Sequence, residues 1–289
     1  MIQVNKNTDS LRSLSQIFTP ANFHQVVREQ DIQATKGRII RHVSIDSPNI
    51  KYGKVLKRLY KDLQNEYCNE YFFKNNLFNK YFLEQYSLKT TSVFNEFKIC
   101  GSIADFVLLN GTARIFEIKT NLDGLDKLQK QLDDYQKFAE FVYIVTSSKY
   151  LSKILTNYAN TNIGIIEFTS NNVFKEHKQA ESNKRFFSTA TIFKSLRKSE
   201  YLDIIKTHFG FVPNVPNTRI FKACLSLVNT IDKVEFQRMA VNQLKKRKIQ
   251  CPELLASKKT PYELKQICYN LDFSQQEYKT LHKFLLTSI

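Results

Sequence analysis

Three ionisable residues stand where a strand should be apolar. Within Gly101–Tyr135, Asp105, Glu117 and Lys119 interrupt runs of β-branched and aromatic residues. Alternate strand residues share a face, so Glu117 and Lys119 emerge together while Phe116 and Ile118 point the other way. An Asp and a Glu supply the hard oxygens that suit Mg²⁺ or Mn²⁺. A neighbouring ammonium can orient an attacking water and offset charge developing on a phosphoryl group. Two carboxylates and an ammonium are costly to bury without purpose. The plainer account is a surface strand in which Glu117 pairs with Lys119 or Lys119 with Asp105.

Register decides whether Asp105 joins that face. Asn110-Gly111 between two strand-like runs predicts a hairpin. A two-residue loop pairs Leu109 with Thr112 and sets Asp105 opposite Phe116, on the wrong face. A three-residue loop ending at Gly111 pairs Leu108 with Thr112, so Asp105 faces Ile115 and shares a face with Glu117. The chemistry requires an odd loop or a bulge.

Supporting residues follow from helical spacing. Glu66 and Glu70 are four apart on the face carrying Leu59 and Leu63, where either could lean into the site or lie on a solvated face. Gln131 and Tyr135 fall on the inward stripe of a helix with Leu128, and an inward Gln needs a partner. Glu96, alone among Phe94, Phe97 and Ile99, is a supporting acid or an exposed strand residue. Asp123 is placed to cap the helix that begins near Leu125. The five histidines show no metal spacing.

The elements that must hold these residues read as an α/β layer. Helical periodicity runs from Gly53 to about residue 84. Strands are expected over Ser92–Cys100, Ser102–Leu109 and Thr112–Thr120, then a helix Leu125–Phe138, a strand Phe141–Thr146, a helix Ser148–Tyr158 and a strand Ile163–Phe168. Crossovers through helices make the later strands parallel. Before this core, a short helix after Pro20 and a loop around Pro48 are expected. Lys175–Arg185 reads as a linker, and six helices with a Pro-rich break at Val212–Pro216 follow it. The expected organisation is an N-terminal extension (1–50), a core with a mixed central sheet flanked by helices (51–175) and an all-α basic C-terminal region (186–289).

Charge is the unusual number. The 289 residues carry 43 basic and 27 acidic side chains, net +16, and from Glu181 onward there are 19 basic against 9 acidic. A polyanionic partner is the natural reading, because basic side chains on nucleic acid release condensed counterions; a lysine-rich solvated surface is the bland one. Lys245-Lys246-Arg247-Lys248, with Lys258-Lys259 and Arg197-Lys198, is the expected DNA-binding surface. No apolar run is long enough for a membrane helix. Five scattered cysteines without a Cys-x-x-Cys pair argue against a disulfide framework. With no apolar leader in MIQVNKNTDS, a cytoplasmic protein is expected.

Asp105, an eleven-residue gap, then Glu117-Ile118-Lys119 closing a strand resembles the PD-(D/E)XK nuclease superfamily. The likeness continues through Thr120-Asn121-Leu122-Asp123, the helix carrying Gln131 and Tyr135, and the strand FVYIVT. Upstream, Asn69-Glu70-Tyr71 is similar to the superfamily's helical acid. The wider pattern, over about residues 54 to 168, is similar to a bacterial and phage group within it. Ala104 stands where the superfamily carries Pro. The resemblance implies a restriction-endonuclease-like core in which Asp105, Glu117 and Glu70 bind Mg²⁺ or Mn²⁺. It implies that Lys119 helps hydrolyse a phosphodiester, in DNA by expectation; Gln131 is the expected assisting residue, and Glu96, Tyr135 and Glu66 remain supporting candidates from their positions in strand and helix. A non-catalytic nucleic-acid-binding or regulatory protein on the same fold is the alternative.

Overall fold

The computed structural model describes residues 2–46 and 49–289, and the loop expected at Pro48 lies outside the described residues. The chain opens with β1 (Ile2–Val4), which pairs antiparallel with β2 (Val43–Ile45). Between them run α1 (Thr8–Ser15), α2 (Pro20–His24) and α3 (Gln33–His42), with α2 continuing as a π-helical turn over Gln25–Glu29. Side-chain caps start the first two: Asn7 accepts from the Ser10 N–H, and Thr19 from the Asn22 N–H with Pro20 inside the first turn. α4 (Tyr52–Glu66) buries Val55, Leu56, Leu59 and Leu63 completely, as its periodicity requires. The helical run to residue 84 is not continuous. Tyr67–Asn69 break it, and Asn69 caps α5 (Glu70–Asn76), which passes into a π-helical stretch over Leu77–Leu83.

Next come β3 (Ser92–Ile99), β4 (Ser102–Asn110), β5 (Thr112–Lys119), α6 (Leu128–Gln136), β6 (Phe141–Ser147), α7 (Ser148–Tyr158), β7 (Gly164–Phe168) and β8 (Phe174–Lys178). They form a six-stranded mixed sheet ordered β3-β4-β5-β6-β7-β8. The first three strands make an antiparallel meander, β5, β6 and β7 run parallel, and β8 returns antiparallel. β8 corrects the expected linker. Its sequence FKEHK is charged because an edge strand is protected by charge, which makes it read as loop.

The rest is helical: α8 (Thr189–Lys194), α9 (Lys198–Phe209), α10 (Asn217–Val228), α11 (Lys233–Leu244), α12 (Pro252–Ala256), α13 (Lys265–Leu271) and α14 (Gln275–Leu286). Among the described residues, no helix is long and apolar enough to cross a membrane. All five cysteines are free thiols.

The chain divides into two compact units, 86–248 and 1–85 with 249–289, so the helical tail is split between them. Phe236, Val241 and Leu244 of α11 join Val107, Ile115 and Leu132 in one core, which ties that helix to the sheet. α14 instead packs on α4. The Tyr52 and Phe284 rings lie 4.6 Å apart, and a Cβ on Gly53 would meet the Leu285 carbonyl oxygen at 3.1 Å. The first 50 residues are likewise part of a unit rather than an extension.

Candidate active site

The hairpin register is neither of the two that the sequence suggests. Asn110 pairs with Thr112 and Gly111 alone forms the tip, at a φ of 72° that suits glycine. Phe106 is then opposite Phe116, and position 105 falls opposite 117. The loop is odd, so Asp105 and Glu117 share a face. The ladder opens at this point, where Asp105 Oδ2 accepts the Ile118 N–H at 2.8 Å. On the other side, Asn95 pairs with Phe106 and Phe97 with Ala104, leaving Glu96 opposite Asp105. Glu96 is exposed and left-handed, with a φ of 53° inside a strand, a conformation that costs an L-residue about 1–2 kcal/mol.

Around Glu117 the polar groups close into a network. Lys119 Nζ donates to Glu117 Oε1 at 2.7 Å and to Gln131 Oε1 at 3.0 Å. The Tyr135 hydroxyl lies 2.8 Å from Glu117 Oε2 and 2.7 Å from the Ile103 carbonyl, an acceptor for its proton. Glu117 is only 2% exposed and Lys119 9%. Burial, and after it the charges of Glu117 and Asp105, push the Tyr135 phenol well above its ordinary range, so it stays a protonated donor. β5 supplies the ion pair, β4 the second carboxylate, and α6 brings Gln131 and Tyr135 down onto both.

The remaining expected site residues fall elsewhere. Glu66 and Glu70 belong to the other unit, where Glu66 meets Lys6 and Glu70 meets Lys74, each at 2.6 Å. Asp123 does not cap α6; its Oδ2 accepts from the Thr120 N–H and hydroxyl. The basic run is largely engaged in holding its own unit. Arg247 donates twice to Glu200, at 2.6 Å each, and lies over the Phe94 ring. Lys246 pairs with Asp203 at 2.8 Å, Lys248 donates to the Lys89 carbonyl, and the Lys245 carbonyl accepts from Ser92. Lys198 donates to Asn217 and Arg197 forms the N-cap of α9. Lys258 and Lys259 are exposed in the other unit, so the expected basic surface does not lie on one body.

Sequence reasoning missed the neighbours along the carboxyl ends of the parallel strands. Lys119, Thr146 and Glu167 are in register across β5, β6 and β7. The Thr146 hydroxyl holds the Lys119 carbonyl at 3.0 Å, while Glu167 accepts from Ser148 and meets His177 at 2.8 Å. A polar residue ending an apolar strand is the one signal that could have flagged them.

Asp105 and Glu117 have the donor chemistry Mg²⁺ takes. Among the described residues, no group of three His, Cys, Asp or Glu side chains could hold a metal. A divalent ion would therefore draw two carboxylates from the protein and complete its shell with waters or substrate oxygens, which is the habit of Mg²⁺.

Residues 63–289 match the family model described as Bacteriophage P4 protein cII. The chain belongs to that family. The matched span contains the whole network, from Asp105 to Tyr135. Protein cII of Enterobacteria phage P4 is 32% identical over 87 residues, 29% of this chain and 33% of that protein. The chain thus aligns with about a third of the length of the curated relative it matches. No solved structure matches it. The family's description names a phage protein and no reaction.

Proposed function

We propose that this chain is a metal-dependent nuclease with a restriction-endonuclease-like PD-(D/E)XK core, hydrolysing phosphodiester bonds in DNA. The observation that carries the reading is the ion pair of Lys119 with Glu117, which shares a sheet face with Asp105 and is braced by Gln131 and Tyr135. Asp105 and Glu117 would hold Mg²⁺ or Mn²⁺, which when bound lowers the pKa of a coordinated water and polarises the phosphoryl oxygen. Lys119 orients the attacking water and offsets charge on the phosphate. Gln131 fixes the Lys119 ammonium, and Tyr135 fixes the Glu117 carboxylate. Plasmid and single-strand cleavage with Mg²⁺, Mn²⁺ or EDTA, beside Lys119→Ala, tests this. Cleavage is expected with metal alone and is lost in the variant. Titration calorimetry should show metal binding that Asp105→Ala and Glu117→Ala abolish.

A second reading has its own observation. Both Glu117 oxygens already have protein partners and the carboxylate is 2% exposed, as in a polar cluster that only braces a fold. The chain is then a non-catalytic nucleic-acid-binding or regulatory protein, and a family described by a phage protein and no reaction suits this reading better than the first. DNA binding that survives EDTA, with no cleavage under any metal, would establish it.

A further inference from the structure

The outer face of α4 carries cations that no carboxylate pairs directly. Lys54, Lys57 and Lys61 recur three and four residues apart and are exposed, with Lys51 just before the helix. No hydrogen bond or ion pair among the described residues engages their ammonium groups, and Lys57 feels only the Glu263 carboxyl at longer range. Nearby carboxylates are already taken, Asp62 by Arg58 and Glu66 by Lys6. The contrast with Lys246 and Arg247, both held by carboxylates, is direct. Lys54 to Lys61 spans roughly 10 Å of helix axis. Over that length one strand of duplex DNA carries about three phosphates.

We propose that this face of α4 binds the phosphate backbone of nucleic acid without reading sequence. The proposal rests on the reading of the chain as acting on nucleic acid but not on cleavage. A membrane surface is the weaker partner, because a helix lying in lipid needs an apolar face to insert, and that face of α4 is fully buried within its own unit. An ammonium with no carboxylate partner can neutralise a phosphate directly and release its condensed counterion.

The test is a fluorescence-anisotropy titration of the full chain against a short labelled duplex in EDTA, repeated over a range of salt. Lys51, Lys54, Lys57 and Lys61 are changed together to Gln. Lys153, Lys194, Lys206 and Lys222, exposed in the other unit, are changed to Gln in a charge-matched control. The α4 variant should bind at least about tenfold more weakly, with the log–log salt slope falling by up to about 0.9 for each phosphate no longer neutralised. The control should move much less, and a variant with Arg at the four α4 positions should bind like wild type. Thermal melting must show the variants folded. Equal loss in both Gln variants would reduce the effect to net charge and overturn the proposal, as would unchanged DNA binding by the α4 variant. Loss of anionic-vesicle binding with DNA binding intact would assign the face to lipid instead. Cleavage in Mg²⁺ is scored separately, so a chain that binds through α4 and never cleaves refutes the nuclease reading alone.

Discussion

Each compact unit buries a polar cluster, and the two differ in charge. In the unit of α4 and α5 the cluster is neutral. Asn75 Nδ2 donates to the Tyr60 hydroxyl at 2.9 Å and the Tyr262 carbonyl at 3.1 Å, while its Oδ1 accepts the Gln266 N–H at 3.2 Å. Asn76 accepts from the Tyr262 hydroxyl and Asn79 donates to the Asn75 carbonyl. The bonds to Tyr262 and Gln266 join segments nearly two hundred residues apart, and none of the five carries charge into the interior. In the sheet unit the cluster is ionic. A buried ion pair can often be replaced by apolar groups at no loss of stability, whereas satisfied neutral groups carry no such desolvation penalty. The neutral cluster is therefore accounted for by folding alone. The ionic one needs another reason, which the proposed site chemistry would supply.

The largest expected effect breaks the ion pair one side at a time. Lys119→Met leaves the Glu117 carboxylate buried and uncompensated, a loss of about 3–5 kcal/mol. Adding Glu117→Leu should restore most of that stability in urea unfolding. Metal-dependent cleavage should be absent from both proteins. A single variant as stable as wild type would show the pair to be solvated, and the distinction between the clusters would collapse.

Asn75→Leu probes the other side of the comparison. It leaves the Gln266 N–H and the Tyr60 hydroxyl without their Asn75 partner, so about 1–3 kcal/mol should be lost. Cleavage per folded molecule should stay at the wild-type level. A fall in specific activity at full folding would give the neutral cluster a functional role after all.

The ionic cluster was legible because charge inside an apolar strand pattern is conspicuous. Asp105, Glu117 and Lys119 announce themselves, and the odd hairpin follows from requiring one face for all three. The register itself was not legible: Asn110-Gly111 marks a turn, but whether one, two or three residues form it depends on twist and on Asp105 opening the ladder. Gln131 and Tyr135 could be assigned to the inward stripe, though their partners could not. The neutral cluster gave no warning, since Asn75, Asn76 and Asn79 look like surface polar residues until Tyr262 and Gln266 meet them. The same long-range closure hid the split of the tail. Helical periodicity shows which face of α11 or α14 is apolar, not which core it enters. For Arg247 and Lys246, sequence shows the charge but not the carboxylates at Glu200 and Asp203 that engage it.

The smallest effect separates the units by the sign of their response to acid. In the sheet unit, burial works to raise the Glu200 carboxyl, but the Arg247 hydrogen bonds, the Arg197 N–H and the nearby guanidinium charges prevail and hold it below the ordinary 4.5. A depressed carboxyl contributes stability above its unfolded pKa and loses it as pH falls through the folded value. Glu263, in the other unit, is raised above 4.5 by burial, against the opposing pull of its own backbone N–H and Lys57. Its contribution is complete below the unfolded value and lost as pH rises through the folded one. Glu263→Gln keeps the neutral form at every pH, so it should raise the melting temperature at neutral pH and have little effect in acid. Arg247→Ala should lower stability at neutral pH and flatten the loss on acidification. Melting curves of both variants across the acid range decide the matter. If the two variants respond to pH with the same sign, either Glu263 is hydrated or Glu200 is not held by Arg247, and unfolding followed by hydrogen exchange within each unit identifies which.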